Sequence, residues 1–538
     1  MDDINAALNR AIMGLVRRAE RVDRKRLVET FVDVGSLFAL LSSEDHQIVF
    51  GRRGTGKTHA LNYLSDVRGN EGDAVVYIDL SNMGSSGGLY ADSNIPIPER
   101  ATRLLVDTLQ EVHDRLLSYF VDRAEEHDLS KAGSLLDNLA DASSSVRVVG
   151  ETIACIETSN RNDRHAGAHA AFSVSLRDTG AELGAGVAAR CESVTHEALH
   201  RAGRESHVVH FSSVRRSVER LAELISPQKI WILLDEWSSV PRDLQPYLAD
   251  LVKRSLFPIR GVIVKIAAIE QRSCFAIAKA GKDYIGIELG ADVAADVNLD
   301  DFMVFDNDAS RARAFYQSLF YRHITATVGD SELARSLRSE KDFIRCAFTQ
   351  SNTFDELVRA SEGVPRDAIN ILIQAAQYAR GNPIAMEDVR RAAHAWYQRD
   401  KEPAIQATEG AVQLLQWIVQ EVIGKRRARA FLLRTDVRDS LIEALFDGRV
   451  LHILKKNIST HDEPGIRYNV YKLDYGCYVD LINTARATKG LLPLDQEDGK
   501  GEVQYIEVPP DDYRAIRRAI LRLEEFRRGV HGSSGEEN

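Results

Sequence analysis

Nothing in the 538 residues offers an uninterrupted apolar run of about 20, the length a membrane-crossing helix needs. Cysteine is sparse: Cys155, Cys191, Cys274, Cys346 and Cys477 are widely scattered, with no CxxC pair. That excludes a disulfide framework and points to free thiols in a reducing compartment. Net positive charge is missing as well. A formal charge of −10 argues against a nucleic-acid coat protein, although a local basic face is compatible with it. No internal repeat stands out. The first residues, "MDDINAALNRAIMGLVRRAERVDRKRLVETF", interrupt every apolar run with Arg, so an amphipathic helix is expected there and not a signal peptide. The expected location is cytoplasmic, with no membrane contact.

What is present is an ordinary globular composition, 44% hydrophobic and 28% charged, over a length that implies two to four domains. Its most informative stretch is "QIVFGRRGTGKTHALNYL", in which Gly51, Gly56, Lys57 and Thr58 satisfy G-x-x-x-x-G-K-[ST]. "HQIVFG" reads as a buried strand, and "KTHALNYLSDVRG" has helical spacing. Strand, glycine-rich turn and helix bring backbone N–H groups and a helix N-terminus to bear on phosphates. Gly51, Arg52, Arg53, Gly54, Thr55, Gly56, Lys57, Thr58 and His59 are therefore the expected ATP-binding residues. Lys57 would reach the β- and γ-phosphates, and the Thr58 hydroxyl would bind Mg²⁺.

A carboxylate partner is expected at the end of a neighbouring strand. "QKIWILLDEWSSVP" supplies one: Ile230 to Leu234 form an apolar strand ending in Asp235, a metal ligand, and Glu236, a general base. The Asp-Glu doublet favours hydrolysis over nucleotide binding alone. Another buried strand, in "RGVIVKIAAIEQRS", ends in Glu270, Gln271 and Arg272. Further on, "SEGVPRDAINILIQAAQYARG" opens a helical pair with Gly363, Pro365, Arg366 and Asn370.

This order resembles the AAA+ ATPases, and within them the origin-recognition, initiator-like branch, over roughly residues 30 to 395 and the C-terminal module. The resemblance implies an α/β fold: a parallel sheet with helices on both faces, a helical lid and a C-terminal winged helix. It also implies that Gln271 is sensor 1 and Arg366 is sensor 2, touching the γ-phosphate. The strand tip carries Glu, Gln or Arg where that family usually has Asn, Thr or Ser. Arg272 and the "GVP" sequence are similar to features of the signalling STAND ATPases. No arginine finger is evident between 273 and 290, where only Lys279 and Lys282 occur, and Arg254 precedes the strand. "MGSSGGLYA" lacks the Gln and the position of a transporter signature.

The expected organisation is an N-terminal helix (1–30), an ATPase core (31–305), a lid (306–400), a winged-helix-like module (401–484) and a terminal segment (485–538). Ala-, Ser- and Gly-rich residues 128–208 read as a surface insertion in the core. Within it "THEALHRAGRESHVVHF" matches H-E-x-x-H through His196, Glu197 and His200, with Glu205, His207 or His210 as a third zinc ligand. Arg201 is unlike a zinc protease, and the stretch is read as a solvated helix. "DKEPAIQATEG" reads as a linker. Beyond it, helices and a strand pair joined through "THDEPG" suggest the winged helix, and the terminal segment should carry a last helix over "DYRAIRRAILRLEEFRRG". Lys425, Arg426, Arg427, Arg429, Lys455 and Lys456 could position duplex DNA phosphates. The expected function is an ATP-hydrolysing AAA+ switch coupled to DNA. The alternatives are a STAND-like signalling switch acting through a protein partner or self-assembly, with genome defence as a role by analogy, and, as an outside reading, a zinc hydrolase at the H-E-x-x-H stretch.

Overall fold

The computed structural model describes residues 2–533, except 18–22, 34–36, 84–89, 91, 93, 144, 150–151, 159–194, 202–203, 279–283, 301–307, 330–331, 427, 429, 438, 460–464 and 484–518. Five parallel strands make the central sheet: β1 (Gln47–Phe50), β2 (Ala74–Asp79), β3 (Ile230–Asp235), β4 (Val262–Ala268) and β5 (Ala294–Asn298). Their spatial order is β5-β1-β4-β3-β2. The C-terminal ends of β1, β4 and β3 therefore lie side by side, the place where open parallel sheets bind ligands.

The strands are apolar throughout because both faces are covered. Alternation divides them. Ile230, Ile232 and Leu234 of β3 pack with helices α3 (Ile97–Asp122), α5 (Phe211–Ile225) and α6 (Gln245–Ser255). Trp231 and Leu233 point the other way, against Leu61 and Leu64 of α2 (Lys57–Asn70). The remaining α4 (Leu129–Ser143) buries Ala132, Leu136, Leu139 and Ala142 in the first of these layers. That is a real core contribution from a stretch expected to be surface insertion; its leucines recur at helical spacing despite the small residues around them.

After α4 the chain forms a two-stranded antiparallel ribbon, in which 145–149 pairs with 204–208 and 152–158 with 195–201. The H-E-x-x-H stretch is thus a strand and not a helix. His196 lies opposite Glu157 and His200 opposite Ile153. Four residues of strand separate the two histidines by about 13 Å along the chain, so the one-turn spacing that suggested zinc is gone. "MGSSGGLYA" and Lys279 and Lys282 fall largely or wholly outside the described residues.

The helical lid consists mainly of α7 (Ala309–Val328), α8 (Ser351–Ala360), α9 (Pro365–Ala379) and α10 (Met386–Trp396). The N-terminal helix α1 (Asp2–Met13) belongs to the same packing, with Leu8 and Ile12 in the lid cluster and Asn9 Nδ2 donating to the Asn382 carbonyl at 3.0 Å. The presumed linker is instead a helical junction: a π turn, Tyr397–Lys401, runs into Glu402–Gln406. Lys401 is 1% exposed there because two carboxylates enclose it.

The C-terminal module has α11 (Ser440–Asp447) and α12 (Tyr475–Asn483) around a three-stranded antiparallel sheet. Its strands β6 (Ala430–Arg434), β7 (Leu451–Ser459) and β8 (Arg467–Leu473) lie in the order β6-β8-β7. The strand pair was legible; β6, hidden in "ARAFLLRTD", was not. Leu432 also bridges Ile520, and the last helix starts at Leu523, well inside the span expected for it. Phe431, Leu445, Leu451 and Tyr478 join the lid in one continuous core. No helix among the described residues is long and apolar enough to cross a membrane.

Candidate nucleotide site

The glycine-rich loop leaves β1 at Gly51 and enters α2 at Lys57. Gly54 and Gly56 have φ of 90° and 94°, a left-handed conformation in which L side chains are strained. A Cβ on Gly54 would also stand 2.9 Å from Arg366 Nε. Lys57 Nζ turns back to donate to the carbonyls of Gly51 (2.9 Å) and Arg52 (3.0 Å). Burial pushes its ammonium pKa down, opposed by Glu236, Asp300 and Asp235. Such a buried cation gains by meeting a further anion.

Asp235 ends β3, paired with Asp79 across the sheet, and is 1% exposed. Its Oδ1 accepts the Glu236 N–H at 2.8 Å and its Oδ2 accepts the Tyr77 hydroxyl at 2.7 Å. Glu236 follows in a left-handed conformation, φ 52°. Burial, then the adjacent Asp235 charge, raises its carboxyl pKa above the ordinary range. A strained, proton-hungry carboxylate beside a buried cation is an arrangement suited to proton transfer.

Glu270, Gln271 and Arg272 form one turn at the end of β4. Gln245 holds this turn: its Nε2 donates to the carbonyls of Val240 and Arg272, and its Oε1 accepts from the Cys274 N–H at 2.7 Å. Glu270 pairs with Lys456, and Arg272 Nε meets Asp447 Oδ1 at 2.6 Å. The strand tip therefore touches the C-terminal module.

Arg366 opens α9 from the lid side. Its backbone N–H donates to the Gly54 carbonyl at 3.3 Å, and its Nε is buried without a hydrogen-bond partner. Burial, then Arg449, lowers its pKa. An orphaned guanidinium nitrogen against the glycine loop fits a missing anion.

Three further expected residues are placed as follows. His59 Nε2 hydrogen-bonds the Leu27 carbonyl at 2.7 Å, so the ring faces the N-terminal segment. Arg53 is exposed. Arg52 is buried and committed to protein: Nε and the backbone N–H to Asp300 (2.9 and 3.1 Å), Nη2 to the Glu362 carbonyl (2.8 Å), and Nη1 to His452 Nδ1.

Those last contacts join three parts of the chain and were not anticipated. His452 Nε2 meets Asp474 Oδ2 at 3.0 Å, Lys401 bridges Asp474 and Asp367, and Arg449 bridges Asp367 and Asp400. Lys472 pairs with Glu362 at 2.9 Å. A histidine in the apolar "VLHIL" was the available signal. Of the basic cluster, Lys425 pairs with Glu421 and Arg426 Nη1 donates to the Ile520 carbonyl at 2.9 Å; Arg427 and Arg429 lie outside the described residues. Arg254 pairs with Asp250 one turn back at 2.8 Å.

The cradle fits a magnesium nucleotide: Gly54 and Gly56 let the backbone approach, Lys57 and Arg366 supply charge, and Thr58 and Asp235 supply oxygens. Among the described residues no group of three or more metal-ligating side chains occurs. A Mg²⁺ site needs only one or two protein ligands, completed by phosphate and water.

Comparison with known proteins finds similarity to a family model and to solved structures. Residues 15–66, which include the whole glycine loop, match the family model described as ORC-CDC6-like. The solved structure of Cdc6p from Pyrobaculum aerophilum aligns over 88% of this chain and 97% of its own, with 11% identity and a TM-score of 0.28. No curated protein matches. The phosphate-loop segment is thus similar to ORC-CDC6-like proteins, as the motifs suggested, and the parallel sheet, helical lid and C-terminal module around it make a mixed α/β architecture.

Proposed function

We propose that the chain is an ATP-binding and hydrolysing switch that couples its nucleotide state to duplex DNA through the C-terminal winged helix. In this reading 31–305 is the ATPase core, 306–400 the lid and 401–484 the winged helix, working in the cytoplasm. The observation that carries it is the contact of Arg52, inside the phosphate loop, with His452 on β7. A loop that rearranges around phosphate cannot leave that contact indifferent.

The chemistry divides among the residues as follows. Lys57 exchanges two loop carbonyls for the β- and γ-phosphates. Thr58 and Asp235 hold Mg²⁺, which when bound draws off charge developing on the phosphoryl oxygens. Glu236 takes a proton from the attacking water. Arg366 offers its unpartnered Nε to the terminal phosphate, so the lid feels whether one is present. Gln271 serves at the strand tip as sensor.

A second reading, a STAND-like switch acting through a protein partner or self-assembly, is favoured by the pairs Lys456–Glu270 and Arg272–Asp447. Here the module's basic residue is already spent on a protein contact. One experiment separates the two: ATP turnover of wild type, Lys57→Ala and Glu236→Gln, each with and without duplex DNA at rising salt. Turnover that DNA stimulates, that salt suppresses steeply, and that both variants lose supports the first reading. Turnover indifferent to DNA supports the second. Equal silence of all three proteins refutes hydrolysis.

A further inference from the structure

The two residues proposed to hold Mg²⁺ stand on different elements, Thr58 on α2 and Asp235 at the end of β3. Polar side chains stand behind both. Asn62 lies one turn after Thr58, and its Nδ2 donates to the Thr58 carbonyl at 2.8 Å. Asn62 also acts on the Tyr77 phenol, in the sense that favours a negative oxygen. Tyr77, on β2, donates in turn to Asp235 Oδ2 at 2.7 Å. The direction is forced, because a carboxylate only accepts and the phenol must then be the donor.

Both oxygens of Asp235 are thus anchored, Oδ1 by the Glu236 N–H and Oδ2 by Tyr77. Each oxygen retains a lone pair for a metal-bound water, but the carboxylate plane cannot turn. Partners of this kind, behind a metal ligand, commonly set metal affinity by 10- to 100-fold.

We propose that Tyr77 is a positioning residue that presets the metal half of the nucleotide site and governs its Mg²⁺ requirement, leaving metal-free nucleotide binding untouched. The inference rests on the nucleotide reading above. Nothing in "AVVYIDL" marks Tyr77 by motif; the strand's alternation places it on the half-exposed face that meets α2.

The test uses the full chain with Tyr77→Phe, which removes one oxygen, and Asn62→Ala as the second variant. A fluorescent ATP analogue is titrated in EDTA and at graded Mg²⁺, and Mn²⁺ binding with ATP is followed by electron paramagnetic resonance. Tyr77→Phe should need about tenfold more Mg²⁺ for half-maximal effect and bind Mn²⁺ about tenfold more weakly. Its affinity in EDTA should match wild type within about twofold. Asn62→Ala should shift the same way by less, and it decides the matter if Tyr77→Phe fails to melt cooperatively. An unchanged metal requirement in folded variants overturns the inference, as does an equal loss of affinity with and without metal. A wild type that binds the analogue nowhere removes the nucleotide reading itself, a result distinct from either.

Discussion

Arg52, within the phosphate loop, donates through Nη1 to Nδ1 of His452, the second residue of β7 in the C-terminal module. Arginine can only donate, so Nδ1 is the acceptor and the ring carries its proton on Nε2, which it gives to Asp474. Asp474 also takes Lys401, Lys401 takes Asp367, and Asp367 takes Arg449. Loop, lid helix, junction and module share one buried chain of charge. Each member is desolvated, so each depends on its neighbours remaining in place.

That dependence predicts the effect of Lys401→Met. The substitution keeps the volume and removes the cation between Asp367 and Asp474, both fully buried. Asp367 keeps Arg449 and Asp474 keeps His452, but the cation between the two buried carboxylates is gone. The stability loss should be about 3–5 kcal/mol by chemical denaturation. Arg254→Ala, which breaks a pair whose arginine is 59% exposed, should cost under about 1 kcal/mol in the same assay.

His452 adds a pH dependence. Burial, then Arg52, lowers its pKa to about 4, from an ordinary 6.5. The unfolded ring binds a proton below about 6.5 that the folded ring refuses until about 4. Stability from this site is therefore complete above pH 6.5 and declines as pH falls through that window, by up to about 3 kcal/mol. Denaturant midpoints measured from pH 7 to 4.5 should drop for wild type. His452→Gln should be weaker at pH 7 and show a shallower decline.

How much of this was readable beforehand depends on the range of the signal. The glycine loop, the Asp235–Glu236 strand end and the Pro365–Arg366 helix start are contiguous, and each carries its chemistry in a few adjacent residues. The sheet was legible because both faces of β3 are buried, which leaves an unbroken apolar run. The H-E-x-x-H stretch misled because a short motif fits helix or strand, and its partners at 152–158 lie some 40 residues away. The lysine of "DKEPAIQ" read as a linker charge because its two carboxylates come from positions 367 and 474. The partners of Tyr77 and His452 were hidden for the same reason: each acts on a residue more than 150 positions distant.

Gly54→Ala tests the fit between loop and lid. The new Cβ would stand 2.9 Å from Arg366 Nε and 3.1 Å from Val364 Cγ1, at a φ of 90° that alanine resists. Backbone strain of about 1–3 kcal/mol is expected, relieved by moving the loop away from α9. Nucleotide affinity, read by calorimetry, should fall at least about tenfold. Arg366→Ala should relieve the clash but not restore the affinity, since the orphaned guanidinium is then missing too.

Glu236→Gln isolates the proton-transfer step. The amide keeps the shape of the carboxylate and its left-handed backbone, so binding of ATP should survive within about threefold. Hydrolysis should fall by about 10² to 10⁴, the usual contribution of a general base. The pH profile carries the sharper evidence. Burial and Asp235 raise the Glu236 pKa above its ordinary 4.5, so the base form is lost early on acidification and turnover declines on an acid limb displaced upward. Asp235→Asn removes the neighbouring charge that helps raise it. In whatever turnover that variant retains, the limb should move toward lower pH. A limb that stays in place in Asp235→Asn, or persists in the residual activity of Glu236→Gln, would assign the titration to another group and remove Glu236 from the role of base.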